Sequence, residues 1–187
     1  KSGPKSASGH LALAAICLKR YELARAAKQV PTTEIQDALG HLEDAENADA
    51  DSVDVVIARA QVFFRQGNIT AAEKAQVDAQ KLIEAAEKED QLPTRDSMID
   101  YYVGWMVIAN HKKDYTAARA FARRVLMLRP EAALPVANVA AFEARRLVET
   151  SITREELESR ATEIQDLISR LATFYTDDNL RNKYAGA

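Results

Sequence analysis

YYVGWMVIANHKKDYTAARAFARRVLMLRP, residues 101–130, decides the fold, because it reads as two amphipathic helices joined by a tight turn. Tyr102, Trp105, Met106 and Ala109 recur at helical spacing and so share one face of the first helix, which is expected to stop near His111. After Lys113 and Asp114 a second set shares one face: Tyr115, Ala118, Phe121, Ala122, Val125 and Leu128. Pro130, which has no amide hydrogen, ends it. The second helix therefore packs back on the first. Ala118 and Ala122 are small enough to bring the two axes to the near end of the ~8–10 Å range of helix packing.

A relative of this stretch lies upstream at residues 55–80, VVIARAQVFFRQGNITAAEKAQVDAQ, and carries its pattern through Val56, Ala60, Phe63, Gly67, Ala72 and Ala79. Gly67 supplies a turn conformation that other residues resist. Thr70 with Glu73 reads as a capping box at the start of the helix that follows. Both stretches resemble the tetratricopeptide repeat, a helix–turn–helix unit of about 34 residues. The downstream likeness is carried by Tyr102, Trp105, Met106, Ala109, Tyr115, Ala118 and Pro130. Two departures stand out: Met106 falls where a small residue is usual, and Lys113 where glycine is. With Gly67 and Lys113 as equivalent turn positions the units lie 46 residues apart (67 to 113), about 12 more than the family period. The surplus falls in residues 80–97, so the second helix of the upstream unit is expected to run on before a loop at Leu92, Pro93 and Thr94.

The rest of the chain extends the pattern. Residues 1–9 read as a flexible lead-in, residues 10–176 as a single helical-repeat domain, and residues 177–187 as a tail. A first helix is expected from His10 to Gln29, with Leu13, Ile16, Cys17, Tyr21, Leu23 and Ala24 on its apolar side and Pro31 ending it. Thr33 with Gln36 forms a second capping box, opening a helix through Ile35, Ala38, Leu39, Leu42 and Ala45. Residues 47–54 form an acidic loop. A helix over residues 132–148 tolerates Pro135 in its first turn. Thr153 with Glu156 then caps a last helix whose stripe comprises Leu157, Ala161, Ile164, Leu167, Ile168, Leu171 and Phe174, with the preceding helix as its expected cover. No segment alternates in the manner of a strand. The expected fold is all-α, about eight helices in antiparallel helix–turn–helix hairpins, and the resemblance implies that they stack as a right-handed solenoid.

Composition narrows the function. With 47% hydrophobic and 28% charged residues the chain belongs with soluble globular proteins, and its net charge of −3 argues against a nucleic-acid binder. The longest apolar runs, residues 11–18 and 103–109, are too short for a spanning helix. Cys17 is the sole cysteine, so no internal disulfide forms, and a buried thiol on a helix face is the expectation. Ile16 stands where a lipoprotein signal needs a small residue. Asn47, Asp49 and Asp51 match the first three ligand positions of an EF-hand loop, but Ser52 and Ala58 replace its glycine and its bidentate glutamate. His10, His41 and His111 show no ligand spacing in the sequence, so no metal is expected. Without a glycine-rich phosphate loop, a serine elbow or a dinucleotide fingerprint, neither an enzyme nor a cofactor is expected. The basic pairs Lys19-Arg20, Lys112-Lys113, Arg123-Arg124 and Arg145-Arg146 read as solvated helix edges.

The resemblance implies that the first helices of successive hairpins line a concave groove. Carried over residue by residue, the groove takes Ile57, Gln61, Phe64 and Arg65 from one unit and Val103, Val107, Asn110 and His111 from the next. Leu134, Ala141 and Arg145 follow from a third. The Lys, Arg and Asn set with which chaperone-binding members grip a terminal carboxylate is absent. The expectation is a non-catalytic interaction module, a scaffold or adaptor for a partner helix or peptide. Two other readings stay open: a self-associating structural subunit using the Leu157–Phe174 stripe, and a small-ligand-binding or hydrolytic helical protein. The chain's own last helix filling the strip is a further alternative. A cytoplasmic setting is favoured, with an upstream signal or anchor left open.

Overall fold

The structure, a computed structural model, describes residues 6–29, 33–130, 132, 135–137, 139–141 and 153–176, with backbone alone at 156, 157 and 170–176. Its elements are α1 (Ala7–Ala26), α2 (Glu34–Ala48), α3 (Val53–Arg65), α4 (Ile69–Lys88), α5 (Arg95–His111), α6 (Tyr115–Leu128) and α7 (Arg154–Thr176). Residues 135–137 and 139–141 are helical as well, and no strand occurs among the described residues. The fold is all-α, as the periodicity predicts. The chain divides into two compact units, Lys1–Gly104 and Trp105–Ala187, with the division inside α5.

In the first unit α1 packs on α2, and α3 on α4. His10, near the start of α1, meets Asp44, near the end of α2, so that pair runs antiparallel. One part of the core gathers Ala14, Cys17 and Leu18 of α1, Ala38 and Leu42 of α2, and Val62 of α3. Alanines at Ala38, Ala45, Ala72 and Ala79 are fully enclosed, which lets neighbouring helices approach closely. The Tyr21 hydroxyl donates to the Arg65 carbonyl at 3.1 Å and ties α1 to the end of α3.

Several local expectations are corrected. α1 begins three residues before His10, because the Ser6 hydroxyl accepts the Gly9 amide at 3.2 Å and caps it there; Ala7–Gly9 are helix rather than lead-in. Its inward face is Ala14, Cys17 and Leu18, while Ile16 and Leu23 point outward at 49% and 60% exposure. Between residues 11 and 18 this helix is apolar all round, and periodicity alone selects no face. Two of the capping boxes also fail in detail, while the third pairs Thr153 with Glu156, whose side chain lies outside the described residues. Thr33 makes no side-chain cap, its amide donating instead to the Glu34 carboxylate at 3.1 Å. α4 is capped by Asn68, not Thr70, with the Asn68 side chain accepting the Ala71 amide at 3.1 Å. The acidic loop shrinks to residues 49–52, since Asn47 belongs to α2 and Val53 and Asp54 to α3.

The ends of α1, α3, α4 and α5 follow one rule. Lys28, Gly67, Asp90 and Lys113 all have positive φ, between 58° and 77°. Each donates its amide to the carbonyl three residues back, and the next residue donates to the carbonyl five back. At Gly67 these bonds reach Phe64 and Phe63 at 2.9 Å, and at Lys113 they reach Asn110 at 3.0 Å and Ala109 at 2.9 Å. This double bond is the Schellman closure, which satisfies carbonyls the helix end would leave open. After Gly67 and Lys113 the following residue, Asn68 or Asp114, caps the next helix in the same way. The two turns are equivalent, and the surplus goes where the spacing predicts: α4 spans 20 residues and a loop follows before α5.

In the second unit Trp105 stacks on Phe121 with centroids 5.8 Å apart, fixing the end of α5 against α6. Ala118, Ala122 and Val125 of α6 are buried, as are Val136 and Val139 beyond it. Glu163 of α7 pairs with Arg119 at 3.6 Å and with Arg123 of α6. Along the expected α7 stripe Leu167 is buried, Ile164 half-buried, and Ala161 and Ile168 exposed. The side chains of Leu157, Leu171 and Phe174 lie outside the described residues, as do residues 133, 134, 138 and 142–148 of the expected covering helix and residues 177–187 of the tail.

Candidate functional site

α3 buries Val55, Val56, Ile57, Ala60 and Val62, which leaves Gln61, Phe64 and Arg65 half-buried along its other side. Gln61, Phe64 and Arg65 recur at three and four residues and share that side. Ile57 is 3% exposed and therefore a core residue that a partner does not reach in this conformation. α5 carries Val103, Val107 and Asn110, each half-buried, with His111 exposed in its last turn. Ala141 is exposed, and Leu134 and Arg145 lie outside the described residues.

Arg65 is already engaged. Its Nε donates to Glu22 at 2.9 Å, a second guanidinium nitrogen reaches the same carboxylate, and Nη1 donates to the Gln61 carbonyl at 3.4 Å. Both partners are partly exposed, so the pair contributes only about 0.2–1 kcal/mol, but it directs the charge toward α1. A second brace joins α2 to α3, where Arg59 donates to both carboxylate oxygens of Glu46, one at 2.9 Å. The hydrogen bonds from Arg59 hold the Glu46 carboxyl below its ordinary value near 4.5, and the same bonds raise Arg59. Cys17 behaves as a core thiol. Burial pushes its pKa up, and the charge of Asp37 adds to this, so thiolate is disfavoured at neutral pH.

One constellation is not legible along the chain. His41 and Asp44, three residues apart, share a face of α2, and the antiparallel pairing delivers His10 from α1 beside them. The imidazole centroids are 6.0 Å apart, and His10 Nδ1 stands 3.5 Å from Asp44 Oδ2. That nitrogen is closed off from solvent and makes no hydrogen bond. Sequence offers only the spacing of His41 and Asp44; the third member, 31 residues away, needs the fold (10 to 41).

No protein-family model matches the chain, and no curated protein matches it in sequence.

Proposed function

We propose that the chain is a non-catalytic interaction module of tetratricopeptide-like build, a scaffold or adaptor that takes an amphipathic helix or extended peptide of a partner protein. The observation that carries this reading is the state of Phe64 and Val103 in the first unit, apolar side chains left partly exposed on helices whose other faces are filled. The equivalence of the Gly67 and Lys113 turns supports a repeated hairpin. Gln61, beside Phe64 on α3, adds a polar group that can fix a bound backbone. Arg65, paired with Glu22, acts by holding α3 rather than as a free charge. The test compares affinity capture by the wild-type chain and by Phe64→Asp, both shown to fold by circular dichroism. Loss of the partners in the variant is expected; retention of the same set rejects the strip as the docking surface.

Self-association is the second reading, favoured by Met127 at 78% and Ile168 at 55% exposure in the second unit. Light scattering across a hundredfold range of concentration decides it. A constant single-chain mass rejects it.

A further inference from the structure

We propose that His10, His41 and Asp44 hold one divalent transition-metal ion of the zinc class, clipping the start of α1 to the end of α2. The donor set is two imidazoles and a carboxylate, the combination that three-ligand zinc sites use with an open fourth position. The geometry is close to what an ion needs. Metal–ligand bonds of ~2.1 Å at tetrahedral angles put donor atoms ~3.4 Å apart; His10 Nδ1 and Asp44 Oδ2 are 3.5 Å apart, and all three donor atoms lie within 4.8 Å of one another. His41 and Asp44, three residues apart, already share one helical face, so the remaining gap is one for side-chain torsions to close.

Two further observations point to a ligand. His10 Nδ1 is buried without a hydrogen-bond partner, a state that costs free energy unless something takes its lone pair or its proton. Its side chain is 14% exposed while that of Asp44 is 58% exposed, so an ion enters from the Asp44 side and keeps its fourth position toward solvent. The location gives the ion a mechanical role. The covalent link between α1 and α2 runs from the end of α1 at Ala26 to the start of α2 at Glu34, and the cluster sits at the opposite end of that pair. An ion there closes a long loop, where a cross-link restricts the unfolded chain most. Nitrogen and oxygen donors without thiolate suit Zn²⁺, Ni²⁺ or Cu²⁺ better than Ca²⁺ or Mg²⁺.

The tag-free full chain is stripped of metal and titrated with Co²⁺, read by its visible d–d absorption, and then with Zn²⁺ as competitor. One Co²⁺ per chain, displaced by one Zn²⁺, is expected, together with a Zn²⁺-dependent rise in the thermal midpoint. His10→Ala and His41→Ala are each expected to weaken binding at least ~10-fold, since loss of even an outer-shell partner costs 10–100-fold. His111→Ala serves as control and leaves binding unchanged. His41→Cys gives a result that misfolding cannot imitate, a sulfur-to-cobalt charge-transfer band at the same stoichiometry. Absence of stoichiometric Co²⁺ and Zn²⁺ uptake, or uptake indifferent to both His10→Ala and His41→Ala, overturns the proposal and leaves the three side chains as an ionic contact across the pair.

Discussion

Gln76 of α4 is fully buried, and neither its amide oxygen nor its amide nitrogen has a hydrogen-bond partner. An unsatisfied buried polar group costs about 1–3 kcal/mol, more than a typical made hydrogen bond returns. The amide lies against the one place on α5 where a side chain is missing: a methyl at Gly104 would collide with the Gln76 amide nitrogen and come within 2.9 Å of its Cδ. Two opposite outcomes follow. Gln76→Met, close in shape and without the orphan groups, is expected to raise stability by about 1–3 kcal/mol in urea unfolding. Gly104→Ala is expected to lower it by about 1–3 kcal/mol through overpacking, although alanine in a helix ordinarily gains about 0.5–1 kcal/mol over glycine. In a Gln76→Ala background that loss is expected to disappear and the ordinary gain to return, and the double-mutant cycle reads the difference as coupling. A Gly104→Ala loss that is the same in both backgrounds would show that the amide is not what fills the space.

At the scale of elements, the helix ends explain most of what the sequence revealed. Gly67, Pro130 and the loop near Pro93 punctuate the chain because their backbone chemistry is local, and the structure breaks its helices beside each of them. Faces were harder to read. α1 has apolar residues all round, so Ile16 and Leu23 read as core and lie outside, whereas α6, with charges at Arg123 and Arg124, turns Ala118, Ala122 and Val125 inward as its period requires. The α4 cap lies two residues before Thr70: Thr70 fits the capping-box spacing, but Asn68 is the stronger acceptor directly after the turn. Of the candidate strip, Gln61, Phe64, Val103, Val107 and Asn110 hold partly exposed positions, but the tie from Arg65 to Glu22 depends on α1, which no local pattern encodes. The turn chemistry supports a prediction. Lys113 holds φ at 62° where its counterpart is glycine, and a left-handed conformation costs an L-residue roughly 1–2 kcal/mol. Glycine also enlarges the unfolded ensemble, which offsets part of the relief. Lys113→Gly is therefore expected to stabilise by about 1 kcal/mol and Gly67→Ala to destabilise by about as much, both read from thermal or urea midpoints. A destabilised Lys113→Gly would mean that the lysine side chain does more for the turn than its backbone costs.

For the whole molecule, the division inside α5 poses an energetic question: whether the units Lys1–Gly104 and Trp105–Ala187 open separately. Where a chain divides into compact units, a defect in one is felt first by the amides that open with it. Leu42 is the probe, being wholly enclosed within the cluster that joins α1, α2 and Val62 of α3. Leu42→Ala removes that packing and leaves a cavity, at an expected cost of about 2–5 kcal/mol. Native-state hydrogen exchange reports where the cost appears, because amides protected by a cooperative unit exchange at the rate set by the opening of that unit. The amides of α1, α2 and α3 are expected to lose protection by the full amount, while those of α6 keep wild-type rates. α5 is the discriminating element, since its 17 residues run through the division as one continuous helix. Its first turns are expected to follow the first unit and its last turn, next to Trp105 stacked on Phe121, to follow the second. Equal acceleration in α6 would mean that α5 transmits the defect whole and that the chain unfolds as a single cooperative body.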